Sequence, residues 1–325
     1  MFFWIGFIVF VFVVLALDLG IFNKKAHVVS AKEAFRMTGF FVVLSLAFSV
    51  FIYFAYSRGW MGNGSLSGQE AVLQYLTGYL VEQSLSMDNV FVIALVFGYF
   101  KVPSHLQHRV LFWGILGAIV FRGLMIGLGA ILIKQFEEIL YFFGLILLYS
   151  SYKMLRSDQE AIHPENNPAI KLLRRFFPIT QQFHQDHFFV RIDNKQFATP
   201  LFVTLLVIET TDIVFAIDSI PAIFGITTDP FIVFTSNIFA ILGLRSLYFV
   251  LAALIDKFHY LKYSLVGILA FVGLKMLTVK LFHLPEWLSL VVIVIFLGVG
   301  IALSLWIKPK HEVEQVVGTK EKIQS

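Results

Sequence analysis

Six carboxylic acids lie within stretches of this sequence that are otherwise apolar: Asp18, Glu82, Asp88, Glu209, Asp212 and Asp218. A charge at the centre of a bilayer costs on the order of 3 kcal/mol, so such residues are expected to be functional. The same stretches contain fewer basic residues, Arg122, Arg245 and Lys275, so charge neutrality leaves some carboxylates unmatched. When buried, those carboxylates must be protonated or bound to a cation. The alternative is that each acid pairs with an arginine or lines a water-filled cavity for structural reasons.

The polar groups in these stretches are oxygen ligands. The predicted metal ligands are Glu82, Asp88, Asn89, Glu209, Asp212 and Asp218, with Asp18, Asn237, Arg122, Arg245 and Pro221 in supporting roles. Carboxylate and amide oxygens suit Mg²⁺, Ca²⁺ or Mn²⁺, whereas zinc and copper prefer imidazole and thiolate. The chain has no cysteine, and none of its histidines falls in the middle of an apolar stretch. The pattern therefore favours a hard divalent cation.

Motifs of several common enzyme classes are missing from the sequence. It contains no HExxH zinc motif, no P-loop and no GxSxG nucleophile turn. We therefore predict that the protein is not an enzyme and holds no tightly bound cofactor. The net charge of +4 comes from basic residues between the apolar stretches, which is typical of membrane topology. We expect no nucleic-acid partner.

Composition indicates a polytopic, all-α membrane protein. Hydrophobic residues make up 58% of the 325 residues, and the mean hydropathy is +0.82. Apolar stretches of about 20 residues, the length needed to cross a bilayer, recur along the whole chain. We predict about nine transmembrane helices, at 2–22, 37–56, 71–100, 110–133, 138–155, 199–225, 231–254, 262–281 and 287–307. The first stretch lacks a basic n-region and a small-residue cleavage site, so we expect it to remain as a span.

The distribution of basic residues predicts the orientation. Most lysines and arginines fall in connections on one side of the predicted spans, whereas the other side has only Arg58, Lys134 and Lys280. Basic connections stay in the cytoplasm. The prediction is an inner-membrane protein with its N-terminus outside and its C-terminus in the cytoplasm.

Spans three to five resemble spans six to eight. Glu82 aligns with Glu209, Arg122 with Arg245, and Gly144 with Gly267. Because each unit has an odd number of spans, the second unit crosses the membrane in the opposite sense. This predicts a three-plus-three inverted repeat, which is typical of secondary transporters, and the alternative is chance similarity between apolar helices. The predicted segments are a transmembrane pair (1–70), the first unit (71–155), a cytoplasmic loop (156–198), the second unit (199–281), and a last helix with its tail (282–325).

Helical geometry predicts which acids share a face. At 100° per residue, Glu209 and Asp212 lie on one face of span six, and Asp218 lies on the other. Pro221 lacks an N–H and is expected to kink the helix near Ile217, which would turn Asp218 toward the other two. In span three, the Ser-, Asp- and Asn-rich stretch 82–89 is expected to form a matching break.

The longest connection contains two recognisable patterns. PAIKLLRRFFP, residues 168–178, has the basic amphipathic pattern of a segment at the inner membrane surface. FFVRIDNKQFAT, residues 188–199, predicts a hairpin that turns at Asp193 and Asn194. We expect a solvated or surface role for this loop.

Four motifs closely resemble the TerC family of integral membrane proteins, in particular its Alx-like branch. They are LDLGIFNKKAHVVSAKEA (17–34), EQSLSMDNVFVI (82–93), HPENNPAIKLLRRFFP (163–178) and the long run 198–251. The resemblance covers about residues 17–280. It implies a transporter fold, a bacterial inner-membrane location and a role in metal homeostasis, with manganese export as the foremost activity. It also carries the labels tellurium resistance and redox modulation. By position, the family's functional acids fall on Glu82, Asp88, Glu209, Asp212 and Asp218, with Asn89 and Asn237 as neutral ligands.

Together these observations predict an exporter of a divalent metal ion, Mn²⁺ first, driven by proton exchange through a site at the middle of the membrane. Its expected partners are the metal ion, as transported substrate, and the lipid bilayer, and the oligomeric state is left open. Two alternatives remain. One is a non-transporting factor for membrane protein insertion or assembly, which would tolerate substitution of the buried acids. The other is an exporter of small organic cations.

Overall fold

The computed structural model describes residues 2–17, 31–61, 66–136, 138–156, 167–192, 194–252, 261–279 and 284–306, without the side chains of 31, 88, 252, 261 and 305. The predicted supporting residue Asp18 lies outside these ranges. So does most of 17–34, the first motif of the resemblance.

The described chain is almost entirely helical. The helices are α1 (Phe2–Leu17), α2 (Ala31–Ser57), α3 (Gly68–Tyr99), α4 (Ser104–Gln135), α5 (Ile139–Arg156), α6 (Pro168–Phe176), α7 (Pro200–Phe224), α8 (Pro230–Leu242), α9 (Leu244–Ala252), α10 (Leu261–Leu277) and α11 (Glu286–Trp306). Two short strands, β1 (Phe189–Ile192) and β2 (Lys195–Ala198), form the predicted antiparallel hairpin. Asn194 in its turn has a φ of 64°, a conformation that asparagine tolerates. The prediction of an all-α membrane protein is confirmed.

Each of the nine predicted spans contains an observed helix or helix pair. Five helices, α2, α3, α4, α7 and α11, are long and apolar enough to cross a membrane, and α8 with α9 makes a sixth span if the bent pair counts as one. The others, α1, α5 and α10, are shorter in the described part or carry basic residues in the last turn. The number nine therefore stays a prediction.

The central helices are α3 and α7, which pack against each other. Helix α3 also packs on α8, α7 packs on α4, and α5 packs on α10. Each helix of the first predicted unit can be swapped with its counterpart in the second: α3 with α7, α4 with the α8–α9 pair, and α5 with α10. The set of contacts is the same after the swap. That is the pairing that an inverted repeat produces, and it supports the repeat as a hypothesis.

Two glycines allow the close approach of α5 and α10. A Cβ atom at Gly144 would lie 3.0 Å from the carbonyl oxygen of Gly273, and a Cβ at Gly273 would lie 3.0 Å from the carbonyl oxygen of Gly144. Small residues at such crossings let helix backbones touch, which is how helices associate in membranes.

The expected breaks in spans three and six are not observed. Helix α3 is continuous from Gly68 to Tyr99, and the Ser84 hydroxyl donates to the Leu80 carbonyl within the helix. Helix α7 is also continuous, with Pro221 inside it. The polar side chains bond back to their own helix rather than competing with it.

The break lies instead in span seven. At Gly243 the chain leaves α8 and enters α9, and the two helix axes differ by 43°. The sequence signal for this break is Gly243, two residues before Arg245.

The amphipathic segment forms α6, which packs along α7. Its buried side, Ile170 and Leu173, joins the core, whereas Leu172 and Phe176 are exposed. Asn167 caps its N-terminus and also donates to Thr210 Oγ1 at 2.7 Å. The connection between the two units therefore reaches α7 next to the acids.

Candidate functional site

Arg122, in the middle of α4, links acids on two other helices. Its guanidinium donates to the Glu82 carboxylate on α3. It also donates to both carboxylate oxygens of Asp212 on α7, with Nη2 to Oδ1 at 2.9 Å and Nε to Oδ2 at 3.2 Å. Glu82 is 0% exposed, Arg122 2% and Asp212 6%. One guanidinium therefore joins three helices and supplies the positive charge between two buried carboxylates.

Helical spacing brings further polar groups to this point. Glu82 and Asn89 lie two turns apart on one face of α3, and Asp212 and Ser219 lie two turns apart on α7. The Asn89 amide donates from Nδ2 to Asp212 Oδ1 at 2.6 Å. Nη1 of Arg122 reaches Ser219 Oγ at 3.3 Å. The acids are thus held by the guanidinium and, at Asp212, by an amide, and the guanidinium also donates to a hydroxyl; all of these groups are deeply buried.

Three oxygens of these acids and amides are without a hydrogen-bond partner among the described residues. They are Glu82 Oε2, Asn89 Oδ1 and Glu209 Oε2. Nearly all buried polar atoms are hydrogen-bonded, and leaving one unpaired costs about 1–3 kcal/mol. These oxygens could bind a cation or accept from a proton donor without giving up an existing bond.

Glu209 lies one turn before Asp212 on α7. It contacts α4 at a position five residues before Arg122. Its carboxylate lies directly against Gly117, where a Cβ atom would overlap it. Gly117 was not predicted as a site residue. The signal was a glycine within an apolar helix, which usually has a packing or functional reason.

Asp218 contacts α5 rather than the Arg122 group. It accepts a hydrogen bond of 2.6 Å from Ser150 Oγ. Because α7 stays helical through Pro221, Asp218 remains about 120° around the helix from Asp212 and about 180° from Glu209. The expected turn of Asp218 toward the other acids is therefore not observed. Ser150 was missed because its sequence context gave no signal.

The remaining predicted residues are placed as follows. Asn237 on α8 is completely buried, and within the described part of the chain its amide has no hydrogen-bond partner. Arg245 is buried at the start of α9. Asp88 lies on α3, and its side chain is outside the description. Lys275 was expected to balance the acids, but it donates to Glu286 at 3.5 Å near the end of α10.

Of the predicted ligand set, the structure brings together Glu82, Asn89 and Asp212, with Arg122 between the carboxylates. Among the described side chains, no group of three or more His, Asp or Glu residues has the arrangement of a metal site. In this arrangement the cation between the two acids is the guanidinium itself.

The sequence matches a known family over most of its length. The profile of the integral membrane protein TerC family matches residues 67–312, which include every element of the site described above. The chain belongs to the TerC family.

Similar proteins match nearly the full length of the chain. "Uncharacterized membrane protein STKORF319" of Myxococcus xanthus is 46% identical over 308 residues, covering 95% of this chain and 93% of that protein. "Putative membrane-bound redox modulator Alx" of Escherichia coli K12 is 43% identical over 310 residues, covering 95% and 96%. No solved structure matches the chain. The comparisons support an integral, multi-pass membrane protein of the TerC family.

Proposed function

We propose that this TerC family protein exports a divalent metal ion, Mn²⁺ first, across the bacterial inner membrane by alternating access coupled to protons. The observation that carries the proposal is the buried oxygen set of Glu82, Asn89 and Asp212 around Arg122. Two carboxylates at less than 10% exposure face one guanidinium, so the group holds one negative charge in excess when both are ionised. Hard oxygen ligands with excess negative charge suit Mn²⁺ or a similar cation.

The exchange follows from the charges of the group. When a divalent ion binds Glu82 and Asp212, the guanidinium of Arg122 gives up at least one of these carboxylates. When the ion leaves, Arg122 and a proton neutralise the two acids, because an unpaired buried carboxylate is strongly disfavoured. Glu209 is one turn away with an unpartnered oxygen, so it is the proposed proton carrier.

The relative's name includes redox modulation. This chain has no cysteine, so it cannot perform dithiol chemistry by itself. A redox effect would then follow from a change in cellular metal content. The proposed orientation, N-terminus outside and C-terminus in the cytoplasm, is supported by the basic residues in the connections.

The test is uptake of ⁵⁴Mn²⁺ into everted vesicles or proteoliposomes, with and without a pH gradient. We expect gradient-dependent uptake by the unchanged protein and uptake at the level of a leak by Asp212→Asn. The matched control is Glu138→Gln, the same kind of change at an exposed acid in the α4–α5 turn, which should keep full uptake. Equal uptake by Asp212→Asn and the unchanged protein would refute the site. Leak-level uptake by all three proteins would favour an assembly factor or an organic cation as substrate.

A further inference from the structure

A cavity of about 520 Å³, lined by both polar and apolar residues, lies where the ends of five helices meet. The N-terminal parts of α3, α5 and α11 and the last turns of α7 and α10 border it, so these helices run in the alternating senses expected of successive spans. Its polar lining consists of Gln74, Thr227, Thr228, Asp229, Lys275 and Glu286. Under the proposed orientation this is the outer end of the molecule.

The opposite end of the bundle is packed with apolar side chains. Between the acids and the hairpin, α3, α4, α7 and α9 contribute one core cluster, which includes Val90, Phe97, Leu111, Val207 and Leu247, each at most 5% exposed. Helix α6 and the hairpin cover this cluster from the connection between the two units. The two ends therefore differ: one is closed by packed apolar side chains, and the other holds a cavity with polar and charged residues in its lining.

The cavity approaches the Arg122 group closely. Gln74 in its lining precedes Glu82 by eight residues of α3, about 12 Å of helix. Phe224 in its lining follows Ser219 by five residues of α7, about 7.5 Å. Only one to two helical turns separate the floor of the cavity from side chains that contact Arg122.

Phe224, the last residue of α7, lies at this end of the cavity. Its ring lies against Gly129 of α4, where a Cβ atom would come within 2.6 Å of it, and its centroid is 6.3 Å from that of Phe143 on α5. Phe224 is 2% exposed although it is among the residues that line the cavity. Because Gly129 has no side chain, the ring of Phe224 has room to pack against α4 at the inner end of the cavity.

We infer that the cavity is the outer vestibule of the transport path and that Phe224, seated on Gly129, separates it from the acids. This inference rests on the proposed function and adds the route by which the ion leaves. The ligand class of the vestibule is a hydrated divalent cation. Glu286 and Asp229, whose Oδ1 also caps the N-terminus of α8, supply carboxylates, and the ion pair of Lys275 with Glu286 reduces the net negative charge, which keeps binding weak enough for release.

Cysteine accessibility tests the route without measuring transport. The chain has no native cysteine, so single variants can be labelled cleanly. Thr228→Cys reports the vestibule, and Ile220→Cys reports the buried side of Phe224, one turn nearer the acids. With a small, membrane-impermeant cationic thiosulfonate applied to intact cells, we expect Thr228→Cys to react at least tenfold faster than Ile220→Cys. Equal rates, or no reaction of Thr228→Cys from outside, would overturn the inference.

A glycine pair tests the role of the ring. Gly129→Ala places a methyl group against Phe224, whereas Gly127→Ala on the same helix meets nothing within 4 Å. We expect Gly129→Ala to raise the labelling rate of Ile220→Cys severalfold and Gly127→Ala to leave it unchanged. The same rate in both backgrounds would overturn the role of Phe224.

Transport by the labelled protein separates this inference from the proposed function. If Mn²⁺ uptake into everted vesicles occurs but is unaffected by the cationic label on Thr228→Cys, the vestibule is wrong and the exporter stands. If the accessibility pattern holds but no preparation transports Mn²⁺, the proposed substrate is wrong and the vestibule stands.

Discussion

Arg122 is the residue on which the charge balance of the bundle depends. It contacts acids on two helices and a hydroxyl, and removing it would leave two buried carboxylates without a cation. Breaking a buried ion pair from one side costs about 3–5 kcal/mol. Its two carboxylate partners come from sequence positions 40 and 90 residues away.

We therefore expect Arg122→Gln to lower the stability of the purified protein by about 3–5 kcal/mol in thermal unfolding, with Mn²⁺ recovering part of the loss because the ion replaces the missing charge. The control is Arg109→Gln, which breaks the half-exposed pair with Asp186 and should cost about 0–1 kcal/mol without a Mn²⁺ effect. Similar losses in both variants would contradict the role of Arg122.

Gly117 is the second residue with a testable consequence. Gly117→Ala places a methyl group in the position of the Glu209 carboxylate, and such overpacking costs about 1–3 kcal/mol. We expect a lower unfolding temperature and reduced ⁵⁴Mn²⁺ uptake. Gly127→Ala on the same helix has free space and should be neutral or slightly stabilising. Normal uptake by Gly117→Ala would show that the position of Glu209 is unimportant.

For single residues, the sequence predicts well which acids belong to the buried group and predicts poorly which side chains they contact. The cost of charge in an apolar span singles out Glu82, Asp212 and Arg122 without any structure. Helical periodicity gives the face on which each lies, but it does not say which helix that face meets. For that reason the contacts of Asp218 with Ser150 and of Glu209 with Gly117 could not be foreseen.

Among the elements, the bend between α8 and α9 is the irregular feature of the described spans. Proline and polar residues had predicted breaks in α7 and α3, but both helices are continuous, and hydroxyls such as those of Ser84 and Thr211 donate to carbonyls of their own helix. Gly243 makes the observed break with φ −76° and ψ −13°, which any residue can adopt. Glycine is thus not required sterically at this bend.

We expect Gly243→Ala to raise stability by about 0.4–1 kcal/mol, because alanine restricts the unfolded chain and fits the native backbone. A Cβ there would meet only ordinary contacts, at 3.5 Å from Ala240 and 3.7 Å from Phe41. The comparison is Gly59→Ala, where φ is +68° and the change should destabilise. If the bend moves during transport, Gly243→Ala lowers ⁵⁴Mn²⁺ uptake despite its greater stability. Destabilisation by Gly243→Ala would show that the bend needs glycine.

For the whole molecule, the exchangeable pairing of helices argues for two units of opposite sense. Periodicity and composition predicted the spans, because twenty apolar residues have one stable arrangement in a bilayer. The pairing of α5 with α10 was beyond sequence reasoning, since it depends on Gly144 and Gly273 meeting across a gap of more than a hundred residues.

The orientation of the chain in the membrane is a prediction about the whole molecule. We expect Trp60→Cys, in the turn between α2 and α3, to react with an impermeant maleimide on intact cells. Lys195→Cys, in the hairpin, should react only after the cells are permeabilised. The reverse pattern would invert the orientation and make the vestibule an entrance rather than an exit.

The guanidinium of Arg122 is part of the protein, so its local concentration at the two carboxylates is high and constant. It therefore competes with any other cation for them. If the protein exports a metal ion as proposed, the ion would have to displace this guanidinium to enter, and the affinity would be lower than the carboxylates alone would give. The guanidinium is within reach of Glu82 and Asp212 and could return to them as such an ion departs. It would then compete with an external ion for the vacated carboxylates, which would reduce inhibition of such an exporter by its own product.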